Sequence, residues 1–521
     1  MSEHAEADVV LEAPGLLLRV GPSGSVEATD VVSGVAWLVD AGVLEVAAAT
    51  GPLALGSPQV RADADEVEVE VGGDGLRALV RHAVDDAWTV RVVLANESDV
   101  ALELTGVRLR WRPAPGAVAT ALAAGAVGAY AVQPASGSGR LLVGRLRAGV
   151  QTGVDEDGLL LGPLTLPPGH RAAVQWRWEV LAEPRLVDRS ALPATPWLEL
   201  GQSVVLPAGP DVAVVAPGLH VEVGEDAVRV EAFEPGPATV ELRGVRGTTT
   251  HRLVWAPDLD DLLDSEAAAL LAGPTTPSGT VRLPGAAAAL VVQDALRRGG
   301  AGSGDVAAEA LELATGLLVE QLDEHPTGAA AVDPLALALL AREADRVAGP
   351  TARATLDAAT RGLRGVALPA PGVGLAGVAL ALARLRSGED PAPAVDHLAG
   401  LLRASSPASD AGLELAVLLR PGQVTPEALV AGLRRLGAAL GAGLPGRSVP
   451  PTGLERLALA SAVLGLVDEA TGERLRGVWG TGAAEVARRA SAQVRARVAE
   501  RPGGAAAGRA LAWLVLGGTP A

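Results

Sequence analysis

Residues 251–266 read His251-Arg252-Leu253-Val254-Trp255-Ala256-Pro257-Asp258-Leu259-Asp260-Asp261-Leu262-Leu263-Asp264-Ser265-Glu266. The run up to Trp255 closes a series of short Val-rich strands. From Asp258 onward the acids sit where the first turn of a helix gains from negative charge. Pro257 separates two textures that extend in both directions. Upstream, apolar runs alternate with turn residues; downstream, Ala- and Leu-rich segments continue at helical spacing to the end. The fold class predicted is therefore β followed by α.

Working upstream, Glu66, Glu68 and Glu70 alternate with Val67, Val69 and Val71, the period-two pattern of a strand with one face in a core. Runs at 89–95, 101–110, 141–145 and 172–180 read likewise, separated by Gly/Asp/Pro/Ser turns, while 113–130 is ambiguous. Residues 1–190 are expected to form an antiparallel β-sandwich, and 191–256 a small immunoglobulin-like one. Downstream, 257–521 predicts about twelve helices with short Gly/Pro-rich loops. Asp333-Pro334 and Thr425-Pro426-Glu427 are typical openings, with an N-cap before Pro at the first helical position. Consecutive helices with short links pack antiparallel, as an (α/α) toroid or a helical-hairpin array.

Composition narrows the chemistry. The 521 residues carry a net charge of −18, which disfavours nucleic acid and anionic membrane as partners. Lys, Ile and Cys are absent; Met1, Phe233, Tyr130 and Asn96 are each the only residue of their kind. This depletion of A/T-rich codons points to a GC-rich, bacterial source. Without Lys there is no Walker A loop or Schiff base, and without Cys no thiol nucleophile or thiolate metal site. Carboxylate, His, Ser/Thr and Arg chemistry remain; no cofactor and no metal is expected. The acidic N-terminal decapeptide lacks the pattern of a signal peptide, so the expected location is cytoplasmic.

Several motifs carry two readings. Gly372-Val373-Gly374-Leu375-Ala376-Gly377 matches a dinucleotide fingerprint, but no βαβ unit surrounds it, and Gly441-Ala442-Gly443-Leu444-Pro445-Gly446 matches equally well. Tight helix packing is preferred for both. Asp258-Leu259-Asp260-Asp261 has the spacing of a protonating D-x-D-D motif, without the aromatic surroundings that carbocations need, and reads as a charged helix start. Asp323-Glu324-His325, with Asp333 downstream, places carboxylates in a helix-to-helix loop, where a pair could act as acid and base. Asp396-His397 is a second adjacent pair. Asp155-Glu156-Asp157-Gly158 reads as an acidic turn rather than a calcium loop. Asn96-Glu97-Ser98 is a sequon in form only. Arginines between 474 and 501 flank a Val486, Ala490, Val494, Val498 stripe, the mark of an amphipathic packing helix. Most tryptophans lie in the β half, where core filling is preferred to sugar stacking.

The order of sandwich then helices resembles bacterial proteins of the six-hairpin glycosidase type that carry an N-terminal mutarotase-like supersandwich. Gly21–Gly42 and Trp88–Trp111 look like hairpins of such sandwiches. The resemblance implies a carbohydrate ligand and site carboxylates on loops, for which Asp323 and Glu324 are the catalytic candidates. The helical half departs from the type in its poverty of aromatic residues. Two functions therefore stand: a carbohydrate-active protein, either a glycoside hydrolase or a non-catalytic sugar-binding relative, and a non-catalytic cytoplasmic scaffold with protein partners.

Overall fold

The computed structural model describes the chain except residues 1–7, 50, 189–195, 246, 301–303, 325–331, 348, 367, 420–423 and 519–521. It is a β region followed by an all-helical region, as the break at Pro257 predicts. The central element of the β region is a nine-stranded sheet, running in space from 447–449 through 117–124, 127–134, 141–148, 171–181, 88–96, 76–84 and 66–73 to 59–63. Two five-stranded sheets complete the larger part of the β region. The ambiguous Ala/Gly stretch 113–130 supplies two of the nine strands. In strand 66–73 Val67 and Val69 are buried and Glu66 and Glu70 pair with arginines, which is the alternation read from the sequence.

Tryptophan fills this interior because so little else of its size exists. Trp88, Trp111 and Trp178 form a mutual cluster with ring centroids 4.6–5.5 Å apart, and Tyr130 packs edge-on to Trp178. Gly144 makes the space: a Cβ there would stand 2.5 Å from the Trp178 ring. Eight of the chain's nine tryptophans are fully buried, so core filling is what they do. Asn96 is also buried, its amide donating to Val100 O at 2.7 Å and Leu166 O at 2.8 Å as a brace across a turn.

Residues 197–256 form a four- and a three-stranded sheet around Trp255. One pairing there is parallel, Trp197–Glu199 alongside Val254–Ala256.

Thirteen helices are present among the described residues: α1 (Leu259–Leu271), α2 (Ala286–Arg298), α3 (Gly304–Glu324), α4 (Pro334–Arg346), α5 (Pro350–Gly365), α6 (Val373–Arg386), α7 (Ala392–Arg403), α8 (Asp410–Leu419), α9 (Pro426–Ala439), α10 (Leu454–Gly465), α11 (Glu469–Trp479), α12 (Ala483–Glu500) and α13 (Ala505–Gly517). The one that the sequence reading lacked is α11, whose polar, Gly-containing sequence hides its period. Alternate helices form an inner layer: α2 packs on α4, α4 on α6, α6 on α8, α8 on α10, α10 on α13, and α13 back on α2. The first eight residues of α4, Pro334–Ala341, are buried on every side and are wholly apolar; the charged residues of this helix follow them. Asp258 caps α1, accepting from Asp260 N at 2.8 Å, and Asp260 and Asp264 face Arg298; the D-x-D-D motif is a helix start. The stripe on α12 is buried, and Arg495 on the same helix reaches Pro257 O at 2.8 Å and Glu199 at 2.9 Å.

The second glycine motif is a strap between the two regions. Gly441, Gly443 and Gly446 all have positive φ, and a Cβ at each would strike, respectively, Thr120, the Trp479 carbonyl and the Ala121 carbonyl. The strap delivers 447–449 to the open edge of the nine-stranded sheet, beside 119–121. Replacing Gly446 by Ala should lower unfolding stability by about 1–3 kcal/mol from backbone strain, with the clash on Ala121 added to it. Gly503→Ala, at φ +78° with open space around it, isolates the strain alone. Urea unfolding followed by Trp fluorescence should show the larger loss for Gly446→Ala; equal losses would mean that the strap bears no load.

Candidate functional site

Residues at the amino ends of α4, α6, α8, α10 and α13 line one cavity, so these ends gather on one side. The cavity measures 520 Å³. Its walls are apolar, from Pro334, Leu413, Leu436 and Leu459, and its polar groups are Asp410, Glu414, Glu455, Arg456 and Arg509.

Glu414 is the unusual member. It is 2% exposed, and no cation among the described residues pairs with it. Its two oxygens accept from the backbone amides of Gly372 at 2.6 Å and Leu375 at 2.7 Å, at the amino end of α6. The first glycine motif makes this contact. Gly372 has φ +89°, and a Cβ on it would lie 2.1 Å from Trp513; a Cβ on Gly374 would lie 3.0 Å from the Glu414 carboxylate. Gly377 gives the same closeness to Leu398. The motif does place an anion on a helix terminus, and the anion is the protein's own side chain. Burial pushes the Glu414 carboxyl up to about 7, against the opposing pull of the amides.

The neighbouring acids behave oppositely. Burial alone would raise Asp410, but Arg456 and Arg435, each at 2.8 Å, hold it below the ordinary carboxylate range. Glu455 is likewise held down by Arg509 at 2.8 Å and by the Trp513 indole at 3.0 Å. Arg509 also reaches Asp333 at 2.7 Å. One carboxylate that exchanges a proton near neutrality thus sits one helical turn from one that stays ionised. Such a separation suits acid–base work.

Of the carboxylates grouped in the sequence, Asp333 belongs to this network and also caps α4, accepting from Leu335 N at 3.1 Å. Asp323 and Glu324 end α3 on the outer layer; both are exposed, Asp323 pairs with Arg361, and neither lines the cavity. His325 lies outside the described residues. His397 Nε2 lies 3.1 Å from Val366 O. Asp155 and Asp157 pair with Arg108 and Arg112 in an acidic turn. No group of three or more His, Asp or Glu side chains among the described residues could hold a metal ion, and none of the described helices is long and apolar enough to cross a membrane. Sequence reading missed Glu414, although a lone acid in the otherwise apolar run Leu413–Leu419 was a visible signal.

No protein-family description and no curated protein sequence matches the chain. Among solved structures, one titled "Polysaccharide Lyase BACCELL_00875" superposes with a TM-score of 0.67 at 10% identity, covering 92% of each chain. The chain therefore shares its β-plus-helical architecture with that protein over 92% of its length. Two YidC structures, one from Thermotoga maritima, align over 33% of this chain with TM-scores of 0.21 and 0.22, too low to bear on the fold.

Glu414 has a folded pKa above its unfolded one, so the stability it confers is full below pH 4.5 and lost as pH rises through 7, a change of about 3 kcal/mol. His82 and His251, buried and neutral with pKa about 4, act in the other direction, losing their contribution as pH falls below 6.5. The comparison with Glu414→Gln cancels the histidines. Wild type should lose about 3 kcal/mol relative to the variant between pH 4.5 and 8. A pH-independent difference would put Glu414 at an ordinary pKa.

Proposed function

We propose that the chain is a carbohydrate-active protein that binds a saccharide in the cavity between α8 and α10. Glu414 is the proton donor and acceptor there, and Arg456 and Arg509 hold hydroxyl or acid groups of the ligand. The observation that carries the reading is a buried carboxylate, poised near neutral pH, on the wall of a cavity that also displays charged arginines. The likeness, over 92% of the chain, to a protein titled as a polysaccharide lyase supports the substrate class. The return of α13 to α2 supports a closed toroid over an open array. The division of the chain at 190/191 and 256/257 and the six-hairpin type are part of the same proposal.

The reaction type is constrained by what is missing. None of the described residues lining the cavity is Lys, Tyr or His, so the base this reading calls for is one of its carboxylates. Asp323 and Glu324, exposed at the end of α3, remain the second candidate pair. The scaffold reading draws on one specific observation: none of the described residues lining the cavity is aromatic, so a sugar ring has no stacking platform.

Thermal unfolding against neutral and uronic-acid oligosaccharides decides between them. A ligand at a hundred times its Kd stabilises by about 2.7 kcal/mol, a readily visible rise in midpoint. One sugar class should raise the wild-type midpoint, and Arg456→Ala should abolish the rise. If the protein is catalytic, Glu414→Gln should keep the rise and lose about 10²–10⁴ in turnover. Such a loss in Asp323→Asn or Glu324→Gln instead would move the site to the end of α3. No shift with any sugar at millimolar concentration would leave the scaffold reading.

A further inference from the structure

The arginines that face the saccharide cavity are not spare charges. Arg509 gives Nε and Nη2 to Glu455 at 3.0 and 2.8 Å and Nη1 to Asp333 at 2.7 Å, so every nitrogen of its guanidinium is occupied. Arg456 gives Nε to Asp410 at 2.8 Å, and Asp410 also pairs with Arg435 at 2.8 Å. Two chains of alternating charge result, Asp333–Arg509–Glu455 and Arg435–Asp410–Arg456. They meet at the start of α10, where Glu455 and Arg456 are consecutive. With Glu414 included, these residues make four carboxylates against three guanidinium groups. Their net charge is zero when Glu414 holds its proton and negative when it does not.

The helix starts around the cavity favour negative charge, but the effect fades beyond the first turn. Four of the five starts already have their acid. Asp333 caps α4, Glu414 accepts from the first amides of α6, Asp410 opens α8, and Glu455 lies in the first turn of α10. The places that an anionic ligand would take at these ends are filled by the protein itself.

What is left for a ligand is mixed. Nη1 and Nη2 of Arg456, an exposed side chain, have no hydrogen-bond partner among the described residues, and each carboxylate keeps lone pairs to spare. A hydroxyl gives one hydrogen and accepts another, so it can use both. A carboxylate only accepts. It would turn to Arg456, whose charge Asp410 already balances, and would bring a further negative charge beside Asp410 and Glu455. Leu413, Leu436 and Leu459 make up much of the remaining wall and offer a desolvated charge no compensation. We propose that the saccharide bound here is uncharged, its hydroxyls donating to Asp410 and Glu455 and accepting from Arg456, and that the site rejects uronic acids. This selectivity rests on the saccharide reading of the cavity and narrows it.

Isothermal titration of the full chain with β-1,4-linked hexamers of glucose, mannose and galactose, each beside the hexamer that carries a carboxylate at every C6, tests the proposal. Whichever neutral hexamer binds, its uronic-acid partner should bind at least about tenfold more weakly, because like charges are brought together. Raising salt from about 0.05 to 0.5 M should strengthen the uronic acid and leave the neutral hexamer unchanged, since screening weakens repulsion. Asp410→Asn releases Arg456, and Glu455→Gln releases part of Arg509, so each should narrow the gap; cooperative unfolding confirms that each variant folds, and the wild-type comparison holds without them. A uronic acid that binds as tightly as its neutral partner, or that weakens with salt, would overturn the proposal and leave the saccharide reading standing. A gap unchanged in both folded variants would overturn it as well, because charge balance would not then be its cause. Binding of no hexamer at millimolar concentration would remove the saccharide reading and the proposal with it.

Discussion

Helices that run side by side in the same direction bring their unpaired amide groups to the same place. Each helix starts with four N–H groups that its own turns cannot satisfy. In the inner layer this falls on the starts of α4, α6, α8, α10 and α13 together, and the groups that answer it shape the helical region. Asp333 caps α4 and Glu414 caps α6 from a neighbouring helix. Because Glu414 comes from α8, the contact ties α8 to α6 as well as satisfying amides. Its carboxylate and the indole of Trp513 need the room that Gly374 and Gly372 leave, respectively. A structural necessity thereby places an ionisable group where water is scarce, and the shifted proton affinity follows from that placement alone.

The small alphabet of the chain imposes a matching economy in packing. With no Ile and almost no Phe or Tyr, interior volume comes either from Trp or from close approach of backbones across Gly and Ala. The β region uses the first solution, in the Trp88, Trp111 and Trp178 cluster. The helical region uses the second, as where Gly517 lets α13 lie against Ala462 of α10. Ala- and Leu-rich helices that meet this closely enclose few rings, so aromatic groups are scarce wherever a cavity opens among them.

The parts of this structure that were legible in the sequence are those set by local pattern. Alternating Val and Glu at 66–71 gives a strand, Asp333-Pro334 gives a helix start, and the stripe on α12 gives a buried face, because each depends on neighbours a few residues away. The role of Glu414 depends on the meeting of α6 and α8, some forty residues apart, and pattern alone does not report such meetings. The two Gly-x-Gly-x-x-Gly runs make the same point. Their sequence is correctly read as tight packing, but what they pack against, a carboxylate in one case and a sheet edge in the other, is fixed only by the fold. Asp323 and Glu324 stood out because acids beside a loop look available; availability to solvent is what placed them on the outer layer.

The short strand 447–449 has a consequence in time as well as in space. Its partner, 117–124, is an otherwise uncovered edge of the nine-stranded sheet, and the chain that covers it is made only after nine of the helices. At 5–20 residues per second, the ribosome would take on the order of tens of seconds to supply it. Throughout that interval the nascent β region carries a row of open amides and carbonyls, the surface on which sheets recruit strands from other chains. The edge is short, rich in alanine and beside a bend at Gly125, a poor template for such recruitment. The same strand that joins the two regions in the finished protein therefore sets a risk period during its synthesis, ended by the arrival of Arg447, Ser448 and Val449.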